Sequence, residues 1–572
     1  MSIDNLMTSP VYKEIEGKIE SFVKEKLSCY CNAGKITAKT IHDPIWGSVE
    51  YSKWEMQLID SPLFQRLRDI NQVGLAMLTY PSARHSRFEH SLGVTAAAKK
   101  MCEKIFKGSG SPQEVEHKNK IYLAALLHDI GHGFYSHLSE QIYKEFKEIQ
   151  DLLVEFNGNL NRRPKAHEAL AFIIINTKTF KDFFRDKIKY PEPEGYEHND
   201  NLFQDVGRMI IGAPIKNGNQ VFSYLTAIIN GPFDVDKLDY IKRDSHTAGL
   251  SLTYDIERLF TKVTIYKKTL GKDVESRLVV KFNGVTAIEE LAFCRIMLFS
   301  YIYYHQKVLI SEAMMKDYVY GLHKLDVIKD ISDFLRYTDS DILKLAENQE
   351  AKNPFPGYCE LNLKELATKI SHRKLPKRCL EVSRTNIENI EVADELDLTV
   401  MYKELHKKAE DGISFEEFQK EIESVINAKE KPKETLVKLD LLIPELVVGD
   451  GPTFEDLLDL RKELFDELVV EYDNKKKAVD FNMFDIYIIF PRAADPGITD
   501  EKVILGRDNT DTLKVSDFVN LEEWAASFNT NKWRGYVFVS EHIDRKIAYQ
   551  AAEKFILKGK AKLKNPEAYL KI

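Results

Sequence analysis

The 572-residue sequence predicts a mainly α fold, a helical core followed by a small α/β C-terminal module. Two observations predict it. Apolar residues recur at steps of three and four from about residue 36 to 320, the period of helices packed on one face. Alternating β-rich runs bounded by Pro or Gly appear only in the last 130 residues. At this length one core is too small a unit, and two or three domains are expected.

The elements follow in order. Residues 10–27 place Ile15, Ile19, Phe22 and Val23 at the spacing of an amphipathic helix within an N-terminal segment, 1–35. The core, 36–320, carries helical periods over Phe88 to Phe106, Ile121 to Leu127, Ala166 to Ile175 and Ala287 to Tyr304. A strand-like insert, Arg277 to Phe282, follows the polar turn at Gly271. An accessory region, 321–440, reads as helical but more charged, with Lys429 to Lys433 as a linker or exposed turn. The terminal module, 441–572, contains β runs at Phe484 to Phe490 and Gly535 to Val539 and a closing helix from about Asp544 to Leu557.

Composition excludes several classes. Hydrophobic content of 44% and charged content of 30% are those of an ordinary globular chain. No run approaches the ~18 apolar residues of a membrane span and no basic-then-apolar leader is present, so a cytoplasmic location without membrane contact is expected. Six irregularly spaced cysteines predict free thiols, and Cys29-x-Cys31 has no second pair to make a zinc site. A net charge of -8 argues against wholesale coating of nucleic acid. Lys554, Lys558, Lys560, Lys562 and Lys564 form a basic stripe that could touch a phosphate backbone, although such stripes are more often solvated tails.

The chemistry is concentrated in Ala125-Leu126-Leu127-His128-Asp129-Ile130-Gly131-His132-Gly133. An apolar run that ends in His-Asp and glycines predicts a buried helix stopping where imidazole and carboxylate can converge on one divalent ion. Upstream stands Arg87-Phe88-Glu89-His90, and downstream Asp234-Val235-Asp236-Lys237-Leu238-Asp239-Tyr240. The order of these motifs, His, His-Asp, distant Asp, resembles that of the HD phosphohydrolases and implies His90, His128, Asp129 and Asp236 as ligands. Two imidazoles and two carboxylates suit iron, manganese, zinc or magnesium, and such an ion activates water toward phosphorus.

With Asp60-Ser61-Pro62-Leu63-Phe64-Gln65-Arg66-Leu67-Arg68 and His85 to Gly93, the chain resembles the SAM-and-HD-domain type of deoxynucleoside triphosphate triphosphohydrolase, a dGTPase-like, bacterial-type homologue. The likeness runs from about Lys39 to Lys307, with an echo to Lys377. It implies hydrolysis of a dNTP to deoxynucleoside and inorganic triphosphate. Of the histidines that could move the proton, His167 resembles the family's acid or base and Glu140 its orienting acid, where Asp is more usual. His132 and His137 are given a phosphate-contact, catalytic or structural role.

By the same resemblance Arg87, Lys237 and Arg295 meet phosphates, and Gln72 and Asp244 bond the sugar 3′-hydroxyl. Tyr240 and Tyr303 wall the sugar against a 2′-hydroxyl. A second, allosteric nucleotide site is implied by Lys39, Asp60, Gln65 and Arg68, with Arg258, Lys281, Arg373 and Lys377 completing phosphate contacts from neighbouring subunits. His42 stands where the family commonly has Asn, and Asn283 and Ala287 depart from the usual polar set. The partners implied are a dNTP substrate, a nucleotide activator with magnesium, and further copies of the chain in a dimer, tetramer or hexamer. Control of dNTP pools or antiphage defence would be served by such a reaction. Two alternatives remain open: an HD phosphohydrolase acting on another nucleotide, and a nucleotide sensor or nucleic-acid-binding protein with a quiet HD core.

Overall fold

The computed structural model describes residues 3–30, 36–106, 108, 110–160, 163–191, 201–348, 353–383, 385, 387–388, 453–492, 497, 503–507, 511–557 and 562–563. The Lys429 to Lys433 turn, Cys31, and Lys558, Lys560 and Lys564 lie outside them. The fold is mainly α with small sheets. Two compact units do not follow chain order. The first joins Met1–Tyr303 with Leu325–Asn348 and Pro496–Leu521, and the second joins Tyr304–Lys324, Gln349–Asp495 and Glu522–Ile572.

In the first unit, α1 (Pro10–Ser28) starts at Ser9, whose hydroxyl accepts from Tyr12 N at 3.3 Å, and Pro10 follows as the first helical residue. Its Ile15, Ile19, Phe22 and Val23 are buried, as their spacing predicts. Next comes an antiparallel hairpin, β1 (Lys39–Asp43) and β2 (Gly47–Tyr51), inside a stretch expected to be almost wholly helical. Gly47, at φ 76°, supplies the left-handed conformation of its turn.

Three helices frame the buried centre: α2 (Arg87–Ile105), α3 (Pro112–Leu127) and α5 (Ala166–Asn176); the short α4 (His137–Tyr143) lies between the last two in sequence. Ile173, Leu126 and Val94 are fully buried, and each such side chain contributes about 1.5–3 kcal/mol of transfer free energy. α6 (Val235–Thr247) and α7 (Val285–Leu298) complete the core.

The strand expected at Arg277 to Phe282 is one arm of a longer hairpin, β3 (Val263–Leu270) with β4 (Asp273–Lys281). β3 mixes Lys267, Lys268 and Thr269 with apolar residues and is half exposed, so its alternation is too shallow to separate from a helical face. A strand at Ile504–Leu505 joins β4 in parallel, Ile504 opposite Val280. The helix expected to run from Ala287 to Tyr304 ends at Leu298 and passes into a π-helical turn, Phe299–Tyr303.

In the second unit, α8 (Gln306–Lys324), α9 (Phe454–Asn474) and α10 (Arg545–Leu557) accompany an antiparallel sheet of β5 (Lys377–Val382), β6 (Ile486–Ile489) and β7 (Gly535–Val539), with β7 central. The two β runs and the closing helix of the sequence are therefore present. Leu380, Ile486, Val537, Leu468 and Ala551 share one apolar core. Arg461 is buried and donates to both carboxylate oxygens of Asp317, at 2.8 and 3.0 Å. The five described cysteines are free thiols. Among the described residues no helix is long and apolar enough to cross a membrane.

Candidate metal centre and its surroundings

His90 is placed by a capping box. Ser86 N and Oγ both donate to Glu89 Oε2, at 2.5 and 2.9 Å, starting α2 one turn before the imidazole. Such a cap contributes about 1 kcal/mol and fixes where the helix begins. α3 ends at Leu127 with His128 as its cap, and the ring Nδ1 donates to Ala125 O at 2.9 Å. Asp129 follows in the turn that leaves the helix. Asp236 sits in the first turn of α6, opened by Asp234, whose carboxylate accepts from Lys237 N at 2.8 Å.

These four side chains converge. His90 Nε2 lies 3.0 Å from Asp236 Oδ1, 3.5 Å from Asp129 Oδ2 and 3.4 Å from His128 Nε2. His128 Nε2 is 3.4 Å from Asp129 Oδ1 and 3.9 Å from Asp236 Oδ1. The other nitrogen of each ring faces an acceptor, Asp239 Oδ2 at 2.8 Å from His90 Nδ1 and Ala125 O for His128. With the Nδ1 protons so used, two neutral rings aim two Nε2 lone pairs at the same point, facing two carboxylates. That donor set fits a divalent cation. Without an ion, burial opposes charge on His90, yet hydrogen bonds to Asp236 and Asp239 override it and raise the imidazole to about 10.

A second cluster adjoins the first. His167 Nδ1 and His137 Nδ1 each lie 3.0 Å from Glu140, on different carboxylate oxygens. His132 stacks on His167 with centroids 3.9 Å apart, and its Nε2 is 3.4 Å from Asp129 Oδ1. Burial lowers the pKa of His132. Burial also opposes charge on His167, but Glu140 overrides it and raises this imidazole. Glu140 itself is held well below the usual carboxylate range: burial alone would raise it, but its histidines outweigh that.

Close approach of these elements depends on Gly131. A Cβ there would stand 2.1 Å from His167 O and 2.6 Å from Ala171 N. The turn carbonyls are gathered by Arg66, which donates to Ile130 O at 2.7 Å, His132 O at 2.9 Å and Leu335 O at 3.1 Å. Arg66 is fully buried, and desolvation lowers it to about 10. Its place among the motif residues is thus explained by structure. Tyr135 and Ser136 adopt positive φ, 49° and 56°, a conformation costing about 1–3 kcal/mol per residue, with Tyr135 N anchored on Asp339 Oδ1 at 2.5 Å.

The expected substrate residues fall into four groups. Arg87 is buried, with Nη1 2.6 Å from Asp129 Oδ2 and Nε 2.8 Å from Ser136 Oγ, while Nη2 is a buried donor without a hydrogen-bond acceptor among the described residues. Tyr303 donates to Asp244 Oδ2 at 2.5 Å, Asp244 Oδ1 meets His85 Nε2 at 2.7 Å, and Arg295 Nε donates to Tyr240 at 3.0 Å. Gln72 is buried, and its Oε1 meets no donor among the described residues. Lys237 is turned elsewhere: its Nζ donates to Asp234 Oδ2 at 2.6 Å and Gly231 O at 2.8 Å.

Four of the residues expected at a second site form a chain along the surface. Lys39 Nζ lies 3.8 Å from Asp60, Gln65 Nε2 donates to Ile59 O at 2.7 Å, and Arg68 Nε donates to Gln65 Oε1 at 2.7 Å. Arg258 donates to Asn283 O at 2.9 Å, and both line a surface cleft with Thr261 and Lys262. Lys281 ends β4 and is paired with Leu505 across the sheet. Arg373 and Lys377 belong to the second unit, where they and Arg378 depress the half-buried Lys307 further than burial already does.

Sequence reasoning assigned no role to His85, Asp239, Arg243, Asp43 or Trp46. Asp239 was visible in the motif three residues after Asp236, but its partners are distant in sequence. Lys165, the cap residue of α5, also went unread. Its side chain is exposed and lies 3.8 Å from Glu168 Oε1.

Residues 87–182 match the HD domain, and residues 254–442 match the HD associated region. The chain is 29% identical to an uncharacterized protein of Methanocaldococcus jannaschii, over 62% of each. It is 28% identical to the deoxynucleoside triphosphate triphosphohydrolase SAMHD1 homolog of Dictyostelium discoideum, over 55% of this chain and 56% of that one. It is 26% identical to the human deoxynucleoside triphosphate triphosphohydrolase SAMHD1, over 61% of this chain and 56% of that one. The chain therefore spans less than two thirds of each of these relatives. A crystal structure of a hypothetical protein from Aquifex aeolicus shares the fold, with TM-score 0.53 at 21% identity, covering 90% of this chain and 100% of that one.

Proposed function

We propose that this HD-domain chain is a divalent-metal-dependent hydrolase that converts dNTPs to deoxynucleoside and inorganic triphosphate. The observation that carries the reading is the pair of inward-facing Nε2 atoms opposite two carboxylates, set beside a histidine–glutamate pair. His90, His128, Asp129 and Asp236 hold the ion, with iron, manganese, zinc and magnesium all compatible with the ligand types. A bound divalent ion supplies Lewis acidity toward water and phosphate oxygen.

The chain's own groups do the rest. Arg87 offers its unpaired Nη2 to a phosphate oxygen. Water attacks the α-phosphorus, the bond to the 5′-oxygen breaks, and His167, whose charged form Glu140 favours, protonates that oxygen. Asp244 and Gln72 receive the 3′-hydroxyl, and the rings of Tyr240 and Tyr303 exclude a 2′-hydroxyl by contact. Arg295 and Lys237 steady the distal phosphates, Lys237 by leaving Asp234. The names of the Dictyostelium and human relatives support the substrate class.

A nucleotide activator bound at Lys39, Asp60, Gln65 and Arg68, with Arg258, Lys281, Arg373 and Lys377 contributed within a homo-oligomer, makes the reaction responsive to nucleotide supply. Control of dNTP pools, or their depletion during phage infection, is the purpose this chemistry serves.

The test is turnover of each dNTP, alone and in pairs, with added manganese, iron or magnesium, by release of deoxynucleoside and triphosphate. His128→Ala should lose Mn²⁺ binding and turnover while keeping its far-ultraviolet helicity. Wild-type turnover by that variant refutes the metal assignment. A wild-type chain that binds metal and hydrolyses no dNTP refutes the substrate.

A further inference from the structure

A buried array joins the β1–β2 hairpin to a metal ligand. His90 Nδ1 is 2.8 Å from Asp239 Oδ2. Arg243, one turn further along α6, donates from Nε to Asp239 Oδ2 at 2.8 Å and from Nη2 to Asp239 Oδ1 at 2.9 Å. The same Nη2 donates to Asp43 Oδ2 at 2.8 Å, at the end of β1. Trp46, in the hairpin turn, donates its indole N–H to Asp239 Oδ1 at 2.6 Å. Asp43 Oδ1 fixes that turn by accepting from Ile45 N at 2.7 Å and Trp46 N at 2.9 Å.

Asp239, Arg243 and Asp43 are all buried. Room for the ion pair against α2 comes from Gly93, one turn after His90. A Cβ on Gly93 would lie 2.0 Å from Asp239 Oδ1 and 2.1 Å from Arg243 Nη2. Surface ion pairs bend at little cost, but a buried one has no water to replace a lost partner, so its members move together. The other end of β1 carries Lys39, exposed and facing Asp60.

We infer that Asp43, Arg243 and Asp239 are positioning residues that transmit the placement of the β1–β2 hairpin to His90, so that metal affinity at the centre depends on the hairpin. The inference rests on the metal reading above. A partner of the distal imidazole nitrogen sets ring orientation and basicity, and losing such a partner costs about 10–100-fold in metal affinity. Asp43 lies outside the donor set yet is two hydrogen-bonded groups from it.

The experiment is calorimetric titration of the chelator-stripped full chain with MnCl₂. Asp43→Asn keeps the side-chain shape and removes the charge facing Arg243. Gly93→Ala keeps every charge and displaces the pair. Both should weaken Mn²⁺ binding by about 10-fold or more. In the double variant Asp43→Asn/Arg243→Lys the loss should not exceed the larger single loss, because both cut one path. Lys120→Met, which breaks the Lys120–Asp205 pair at 2.8 Å in the same unit, should leave Mn²⁺ affinity unchanged.

Wild-type affinity in Asp43→Asn and Gly93→Ala, with His128→Ala still unable to bind, overturns the inference and spares the metal reading. Equal weakening by Lys120→Met reduces the array to general stability and overturns it too. A wild-type chain that binds no Mn²⁺ removes both.

Discussion

Replacing Gly131 by alanine adds one methyl group where α5 crosses the turn that carries Asp129. The new Cβ would lie 2.1 Å from His167 O and 2.6 Å from Ala171 N. Both obstacles are backbone, so no side-chain rotation relieves them. Since real Cβ atoms keep at least 3.0 Å from such neighbours, α5 or the turn must retreat by about 1 Å. Overpacking of this kind costs about 1–3 kcal/mol of stability. The retreat carries His167 away from His132, on which it stacks at 3.9 Å, and shifts the Asp129 turn. A misplacement of about 1 Å at a reacting group can lower turnover about 100-fold. The assay is dNTP turnover at saturating substrate together with the thermal midpoint of the purified variant. Gly131→Ala with wild-type turnover and midpoint would refute the claim that this glycine sets the distance between metal centre and proton donor.

Glu140→Gln removes the charge that raises His167. The alkaline limb of the pH–rate profile should move to lower pH. The sign for stability is the same: a raised imidazole stabilises the fold below its unfolded pKa of about 6.5, and that contribution is lost as pH rises through the raised value. The variant should therefore show a flatter stability curve above neutrality, and an unmoved alkaline limb would count against His167 as the acid. Tyr303→Phe deletes the donor to Asp244 and leaves a buried carboxylate oxygen short of a partner, lowering kcat/KM about 10-fold. Tyr303→Ala should in addition admit ribonucleotides, and unchanged sugar discrimination in steady-state kinetics would remove that ring from the sugar pocket. Arg461→Met strands Asp317, which burial already raises, and should destabilise the second unit by about 3–5 kcal/mol in thermal or denaturant unfolding, with a near-zero change contradicting the ion pair's role.

Much of the site was legible because its determinants are local. His128 and Asp129 are adjacent, the Ser86–Glu89 box announces the helix that carries His90, and Tyr240 and Asp244 share a face of α6 at a spacing of four. Buried apolar spacing likewise marked α1, α2 and α5 within a residue or two, and the end but not the start of α3. The misses have physical causes. β1–β2 and β3–β4 are short or half exposed, so their alternation has too little contrast. Tyr303 lies in a π-helical turn, whose extra residue no 3.6-residue period foretells.

The helical core, the α/β end and the donor types of the candidate metal centre were already readable in the sequence, because helix periodicity, caps and adjacent motif residues act within a turn or two of the chain. Only the tertiary structure decided which carboxylate steadies which imidazole. Asp239 could have served as a ligand; it is instead drawn back by Arg243 and Trp46 to support His90. Lys237 likewise lies on Asp234 and Gly231, whatever its neighbour in sequence. In a buried site each charge takes the partner that best offsets its lost water, and the available partners are set by which helices pack together.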